Sequence, residues 1–323
     1  MDYQRIIDSY ALKAFDFELS ELDKIALEGM WGGKRLRAVL TLLWCEAYGG
    51  DATMAAPVAV AYELAHGAAL IQDDIIDHSS FRRGDKSLVA KHGLSNAILA
   101  SNALLFLVPK MISRFANVIP SNGCIGKLLD LLGDCCHSTA NGEFLDLQLT
   151  GIEDVHEEDY LEMIRLKTGA LVAASSASGA LVGAGPEDTE AIHRAFRYGE
   201  CIGMAYQIQD DLLDIFGDEN SLGKEPFTDL RSGKTNLSLI HLFHNCSGEE
   251  RIFVRSLIRD GPLTDLESGE IKWLLKKYGS VYVAKEKAEL YVAKAKSVIT
   301  NTEGALPRKR LVELTDFLAQ RIQ

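Results

Sequence analysis

Proline is scarce in this chain, with 7 residues in 323. A β-sandwich or barrel needs turn signals every roughly 8–12 residues, and the sequence does not supply them. Cysteine is limited to Cys45, Cys124, Cys135, Cys136, Cys201 and Cys246, with no C-x-x-C pair among them. Neither a disulfide framework nor a cysteine-held zinc is expected, and the six read as reduced core residues. Positive charge is in deficit, 34 Lys and Arg against 46 Asp and Glu, for a net charge of −12. A duplex binder needs cations against phosphates, so no nucleic-acid partner is expected. The opening segment MDYQRIIDSY has no basic n-region and no apolar run, which points to a cytoplasmic protein. Two uncharged stretches, 92–109 and 168–186, are diluted by Asn, Ser, Gly and Ala. Neither reaches the roughly 20 strongly apolar residues of a span, so no membrane span is expected.

What the chain does have is helical periodicity. Apolar residues at three- and four-residue spacing predict helices over 3–28, 34–48, 55–77, 94–117, 123–148, 157–183, 188–216, 268–278, 280–299 and 307–322. Gly49-Gly50-Asp51, the Pro120–Gly123 segment and the Gly185–Asp188 segment mark joins between them. The expected fold is all-α, a single domain over 1–323 made of long helices around a central cavity. Trp44 and Trp273 are expected in the core.

One internal echo stands out. Residues 71–77 read IQDDIID and residues 208–214 read IQDDLLD, five of seven identical. On a helix, Asp73 and Asp77 lie one turn apart on one face, as do Asp210 and Asp214. Like charges at that spacing destabilise a helix, the more so beside Ile and Leu. A divalent cation relieves the repulsion, and hard oxygen ligands suit Mg²⁺, which commonly bridges to substrate phosphates. The metal-ligand candidates are therefore Asp73, Asp74, Asp77, Asp210, Asp211 and Asp214, arranged for three ions around one diphosphate.

Basic residues come in short bursts beside these clusters: Gly32-Gly33-Lys34-Arg35-Leu36-Arg37, Arg82-Arg83-Gly84, Lys167-Thr168, Gly223-Lys224 and Gly233-Lys234. Their placement suggests two phosphate pockets, one filled with metal and one held by Lys and Arg alone.

The ordered set G-G-K-R-x-R, H-x6-D-D-x-x-D-x4-R-R-G, K-T and Q-x-x-D-D-x-x-D followed by two G-K units resembles the trans-isoprenyl diphosphate synthases, or polyprenyl synthetases. The match covers residues 32–240. The resemblance implies a prenyltransferase that condenses isopentenyl diphosphate with an allylic diphosphate. It implies that both aspartate clusters bind Mg²⁺ and the allylic diphosphate, with Arg82, Lys167, Lys224 and Lys234 neutralising that diphosphate as it leaves. It places isopentenyl diphosphate against Lys34, Arg37, His66 and Arg83, and the oxygen dipoles of Thr168 and Gln207 near the developing cation. It also implies a homodimer, consistent with uncharged helix faces at 94–109 and 123–133.

Several positions depart from the family pattern: Gln72 before the first aspartates, Ser101-Asn102, Glu143 after Gly142, Phe227-Thr228-Asp229, and Asn236-Leu237-Ser238. Two other functions remain open at this point. A terpene cyclase or head-to-head synthase shares the aspartate clusters, but has no need of the Lys34, Arg37 and Arg83 pocket. A non-catalytic subunit of a heteromeric synthase would be expected to have lost aspartates. For product length, the small residues Ala69, Ala68, Ala65 and Ala61 before Asp73 leave a tunnel open, implying products of roughly 20 carbons or more at one helical turn per isoprene unit. Tyr62 or Phe106 is the candidate floor, and Ala68 the candidate gauge.

Overall fold

The computed structural model describes residues 3–14, 19–30, 33–116, 122–152, 154–217, 226–259, 261–299 and 305–319. The described helices are α1 (Tyr3–Ala14), α2 (Glu21–Met30), α3 (Leu36–Ala47), α4 (Ala52–Ile76), α5 (Leu88–His92), α6 (Leu94–Ala116), α7 (Asn122–Leu149) and α8 (Glu157–Ile164). A π-helical turn, Arg165–Gly169, joins α8 to α9 (Ala170–Ala184). Then come α10 (Thr189–Phe216), α11 (Thr228–Arg231), α12 (Leu237–Asn245), α13 (Gly248–Ser256), α14 (Asp265–Lys277), α15 (Ser280–Ile299) and α16 (Ala305–Ala319). A small hairpin pairs β1 (Phe81–Arg82) with β2 (Asp85–Lys86).

α4 and α9 form the centre. α4 starts at Asp51, whose side chain accepts from Thr53 N at 2.9 Å. It is apolar on nearly all sides and packs against α3, α6 and α9, as expected of a helix wholly enclosed by others. α9 is built from Ala, Ser and Gly and is buried from Ala170 to Val182. Its serines meet their hydrogen-bond demand locally, Ser175 and Ser176 both donating to the Val172 carbonyl. Two links hold it to its neighbours: Thr41 Oγ1 donates to the Ser175 carbonyl, and the Tyr62 hydroxyl bonds Ser178 Oγ at 2.7 Å.

The all-α expectation holds, with local differences. The stretch 3–28 divides into α1 and α2. The stretch 157–183 is interrupted by the π turn. Helices α5, α11, α12 and α13 were not foreseen, although Ser247 and Glu250 form a capping box at the start of α13 that the sequence carries openly. Trp44 is fully buried, but Trp273 is 56% exposed, with the Lys277 ammonium over its ring. The amphipathic ring is covered on one face by the aliphatic and charged reach of a lysine instead of by core. All six cysteines are free thiols.

Two helices, α4 and α6, are long and apolar enough to cross a membrane by length and composition. α4 is instead enclosed by the bundle, whereas α6 leaves Leu94, Ile98, Leu99 and Phe106 exposed. Phe106 is 77% exposed and cannot form the floor of a tunnel inside its own chain.

Candidate active site

Asp73 and Asp74 end α4 and Asp77 caps it. The chain then reverses through the β1–β2 hairpin, whose tip residues Arg83 and Gly84 both adopt positive φ, the geometry of tight two-residue hairpin loops. This reversal returns Arg82 to the aspartates. Its Nη2 donates to Asp73 Oδ2 at 2.6 Å and its Nε to Asp74 Oδ1 at 2.8 Å. Asp74 is buried against this guanidinium, while Asp73 and Asp77 each meet a lysine from another element.

Lys167 approaches from the π turn. Its Nζ lies 3.2 Å from Asp73 Oδ1, 2.8 Å from Glu143 Oε2 and 2.8 Å from Asp146 Oδ2. A π turn inserts an extra residue into a helix and re-aims the side chains it carries, often at functional sites; here those are Lys167 and Thr168. Lys234, from the loop between α11 and α12, pairs with Asp77 Oδ2 at 2.5 Å and lies 3.8 Å from Asp146. Burial opposes ionisation of Asp73, but Lys167, Arg82 and Lys234 outweigh it and hold the carboxyl at about 2. Burial wins at Glu143 and pushes its carboxyl up despite Lys167.

The second cluster is divided in its bonding. Tyr160, fully buried on α8, donates to Asp211 Oδ2 at 2.5 Å, and Gln207 Nε2 donates to Asp211 Oδ1 at 2.8 Å. Gln207 Oε1 in turn accepts from Thr168 Oγ1 at 2.8 Å. Burial, with Asp229 and Asp210 close by, pushes the Asp211 carboxyl well above the usual carboxylate range. Asp214 is buried and accepts from Thr228 Oγ1 at 2.6 Å and from Asp229 N at 3.1 Å, which anchors α11. Asp210 is partly buried on α10 beside Asp211.

A separate basic pocket lies at the start of α3. The Arg83 guanidinium rests against Gly33, where a Cβ would come within 2.9 Å of it at a φ of +76°. Arg37 has its Nε buried without a hydrogen-bond partner. Glu63, 4% exposed on α4, accepts from Ala38 N at 3.0 Å and sits within the fields of Arg37, Arg35 and Arg83. Burial, together with Arg37, Arg83 and Arg82, holds His66 well below its usual value, so the imidazole is neutral. Lys34 is exposed, with its ammonium 5.2 Å from the centre of the Phe317 ring on α16. Lys224 lies outside the described residues.

Of the residues singled out from sequence, Asp73, Asp74, Asp77, Arg82, Lys167 and Lys234 form one connected ionic network. Asp211, Thr168 and Gln207 form a second network beside it. Among the described residues no three acidic, His or Cys side chains converge closely enough to hold a metal by themselves. The donors are all carboxylate oxygens, the ligand type of a hard cation that completes its shell with water and phosphate, so the residue set fits Mg²⁺ bound together with a diphosphate.

The departures from the family pattern find local explanations. Gln72 is exposed, and Ser101 donates to the Ala68 carbonyl, tying α6 to α4. Phe227 takes a φ of +62° and is buried, a left-handed conformation more usual for glycine. Asn236 caps α12 through Leu239 N, with Ser238 inside its first turn. Sequence reasoning missed Asp146, Tyr160 and Glu63, and treated Glu143 only as a departure. The available signal was Glu143-x-x-Asp146, a second acidic pair at helical spacing among apolar neighbours.

Comparison with known proteins shows the family. A polyprenyl synthetase family model matches residues 20–276, and the chain belongs to that family. It is similar to a short chain isoprenyl diphosphate synthase of Methanothermobacter thermautotrophicus, 35% identical over 294 residues, covering 90% of this chain and 87% of the relative. The fold is similar to the geranylgeranyl pyrophosphate synthetase of Pyrococcus horikoshii, with TM-score 0.87, 30% identity and 98% of each chain covered. It is also similar to a polyprenyl synthase of Caulobacter crescentus complexed with calcium and isoprenyl diphosphate, with TM-score 0.86 and 27% identity over 99% of this chain and 94% of that one. The protein is a prenyltransferase, an isoprenyl diphosphate synthase by family.

Proposed function

We propose that this enzyme is a Mg²⁺-dependent trans-prenyltransferase whose single helical domain, spanning 1–323, joins isopentenyl diphosphate to an allylic diphosphate. The products are diphosphate and a linear prenyl diphosphate of roughly 20 carbons or more, gauged at one helical turn per isoprene unit. The observation that carries this reading is the pairing of two distinct basic pockets. One joins Arg82, Lys167 and Lys234 to the first aspartate cluster; the other gathers Arg37, Arg83 and neutral His66 around Gly33 and Glu63.

When bound, Mg²⁺ supplies positive charge and a template for the leaving diphosphate. Asp73 on α4, Asp77 at its C-cap and Asp210 on α10 would hold it; a related Caulobacter crescentus polyprenyl synthase binds calcium together with isoprenyl diphosphate. Asp74 positions Arg82, and Asp211 and Asp214 position Gln207 and α11. Arg82, Lys167, Lys234 and Lys224 then neutralise the charge that grows on the diphosphate as the allylic C–O bond breaks. The Thr168 hydroxyl and the Gln207 amide present oxygen to the allylic cation. Arg37, Arg83, His66 and Lys34 hold isopentenyl diphosphate, whose double bond attacks the cation. The proton then lost passes to the departing diphosphate.

The apolar residues Leu94, Ile98, Leu99 and Phe106 on α6 and Leu129 on α7 are exposed, and they support a homodimer built on these helices. Sedimentation should give twice the 35.5 kDa chain mass; a persistent single chain at micromolar concentration contradicts it.

The direct test of the site is Asp73→Ala and Asp210→Ala. Each should lower turnover by about 10³-fold while circular dichroism stays unchanged. Near-normal turnover in both overturns the two-cluster reading.

A further inference from the structure

The hydroxyl of Tyr160 is one end of a hydrogen-bonded chain that closes between two helices. Tyr160 and Thr168 belong to one continuous helical segment, α8 and the π turn, while Asp211 and Gln207 stand one turn apart on α10. The chain runs Thr168 Oγ1 to Gln207 Oε1 at 2.8 Å, Gln207 Nε2 to Asp211 Oδ1 at 2.8 Å, and Tyr160 Oη to Asp211 Oδ2 at 2.5 Å. Tyr160 has no solvent exposure, and its hydroxyl also lies within the fields of Asp229 and Asp146.

The direction of each bond follows from what its atoms can do. A glutamine amide has one accepting end and one donating end, and it can turn over between them. Here Asp211 Oδ1 accepts from Gln207 Nε2 and Oδ2 accepts from the Tyr160 hydroxyl, so the Gln207 NH₂ faces Asp211 and Oε1 is left facing Thr168. That orientation holds only while Asp211 keeps Oδ1 toward Gln207, and the tyrosine fixes this by occupying Oδ2. Without the hydroxyl, Asp211 is free to rotate toward another donor, and Gln207 is free to turn its N–H groups outward. An N–H dipole beside a carbocation opposes it; a carbonyl oxygen stabilises it.

We propose that Tyr160 is a positioning residue that sets the sign of the Gln207 and Thr168 dipoles facing the allylic cation. The inference rests on the roles proposed above for Thr168 and Gln207. It assigns to Tyr160 no contact with either substrate, so binding is unaffected and the chemical step carries the effect.

The test is a double-mutant cycle of Tyr160→Phe and Gln207→Leu, read as steady-state kinetics and as calorimetric binding of inorganic diphosphate with Mg²⁺. Tyr160→Phe keeps the buried ring and removes only the hydroxyl. It should lower kcat about tenfold, the usual scale for loss of a residue that orients a reacting group. The KM of both substrates and the affinity for inorganic diphosphate should stay within about twofold of wild type. Residues acting as one unit are non-additive, so Tyr160→Phe should cost nothing more once Gln207 is Leu. Unchanged kcat in Tyr160→Phe, a rise in KM that accounts for the loss, or additive losses in the double variant overturns the role of Tyr160. If Gln207→Leu alone turns over like wild type, the reading of Gln207 itself fails, and the inference falls with it.

Discussion

Gly142 on α7 lies directly against the backbone of Lys167: a Cβ at Gly142 would stand 2.2 Å from Lys167 N and 2.6 Å from its Cα. No side chain, however small, fits there without moving the π turn. The contact sets how far Lys167 reaches toward Asp73, Glu143 and Asp146. Gly142→Ala should therefore destabilise the protein by about 2 kcal/mol, the scale of forced overpacking, and should lower kcat more than the stability loss explains. Thermal unfolding and turnover at a temperature where the variant is fully folded separate the two effects.

The proposed product length makes α4 the element to vary. Ala69, one turn before Asp73, is partly open, whereas Ala68 is fully buried and its carbonyl bonds Ser101 on α6. On the proposed reading Ala69, not the buried Ala68, would then act as the gauge. Tyr62 lies three turns before Asp73 and is held by Ser178. On the same reading, with the first isoprene unit at the aspartates and about one more per turn, Tyr62 would be the floor. Ala69→Phe should shorten the product by at least one unit, and Tyr62→Ala should lengthen it; chromatography of the dephosphorylated products reads both. Ala68→Phe should cost about 1–3 kcal/mol in stability by overpacking the contact with α6.

The Asp211 carboxyl, raised by burial and by Asp229 and Asp210, gives a pH dependence of defined sign. From the ordinary aspartate range up to its raised value, the folded metal-free protein keeps a proton that the unfolded chain has lost. Stability falls with rising pH where the folded state binds more protons, so this carboxyl destabilises the protein as pH rises through that window. Asp211→Asn should lose that part of the slope. Urea midpoints with a chelator at pH 5 and pH 8 measure it, and an identical slope in wild type and variant contradicts the assignment.

Much of the site was legible because the chemistry repeats in sequence. The two IQDD clusters, the R-R-G after the first and the K-T between them carry enough pattern to locate the aspartates and their cations. The long helices α4, α6, α7 and α10 were legible for the same reason, since their apolar periodicity runs over many turns. What was not legible came from contacts made across the fold. Asp146 matters because α7 carries it to Lys167 and Lys234, 21 and 88 residues away. Tyr160 looks like an ordinary buried aromatic until α10 brings Asp211 to its hydroxyl. Glu63 resembles any polar residue on α4 until α3 brings Ala38 and the arginines around it. The short helices α12 and α13 were announced by their Asn236 and Ser247 caps, whereas α11 is only four residues long and has no side-chain cap.

On the proposed function, this chain by itself joins two diphosphate substrates. The most direct measurement incubates the purified protein with Mg²⁺, labelled isopentenyl diphosphate and an allylic diphosphate, and follows diphosphate release and labelled product together. The expected result is release that requires both substrates and the metal, with label recovered in linear prenyl diphosphates of roughly 20 carbons or more, at one turn of α4 per unit. Release from the allylic diphosphate alone with no label incorporated contradicts the account and favours a cyclase; no turnover by the chain alone contradicts it in favour of a non-catalytic subunit.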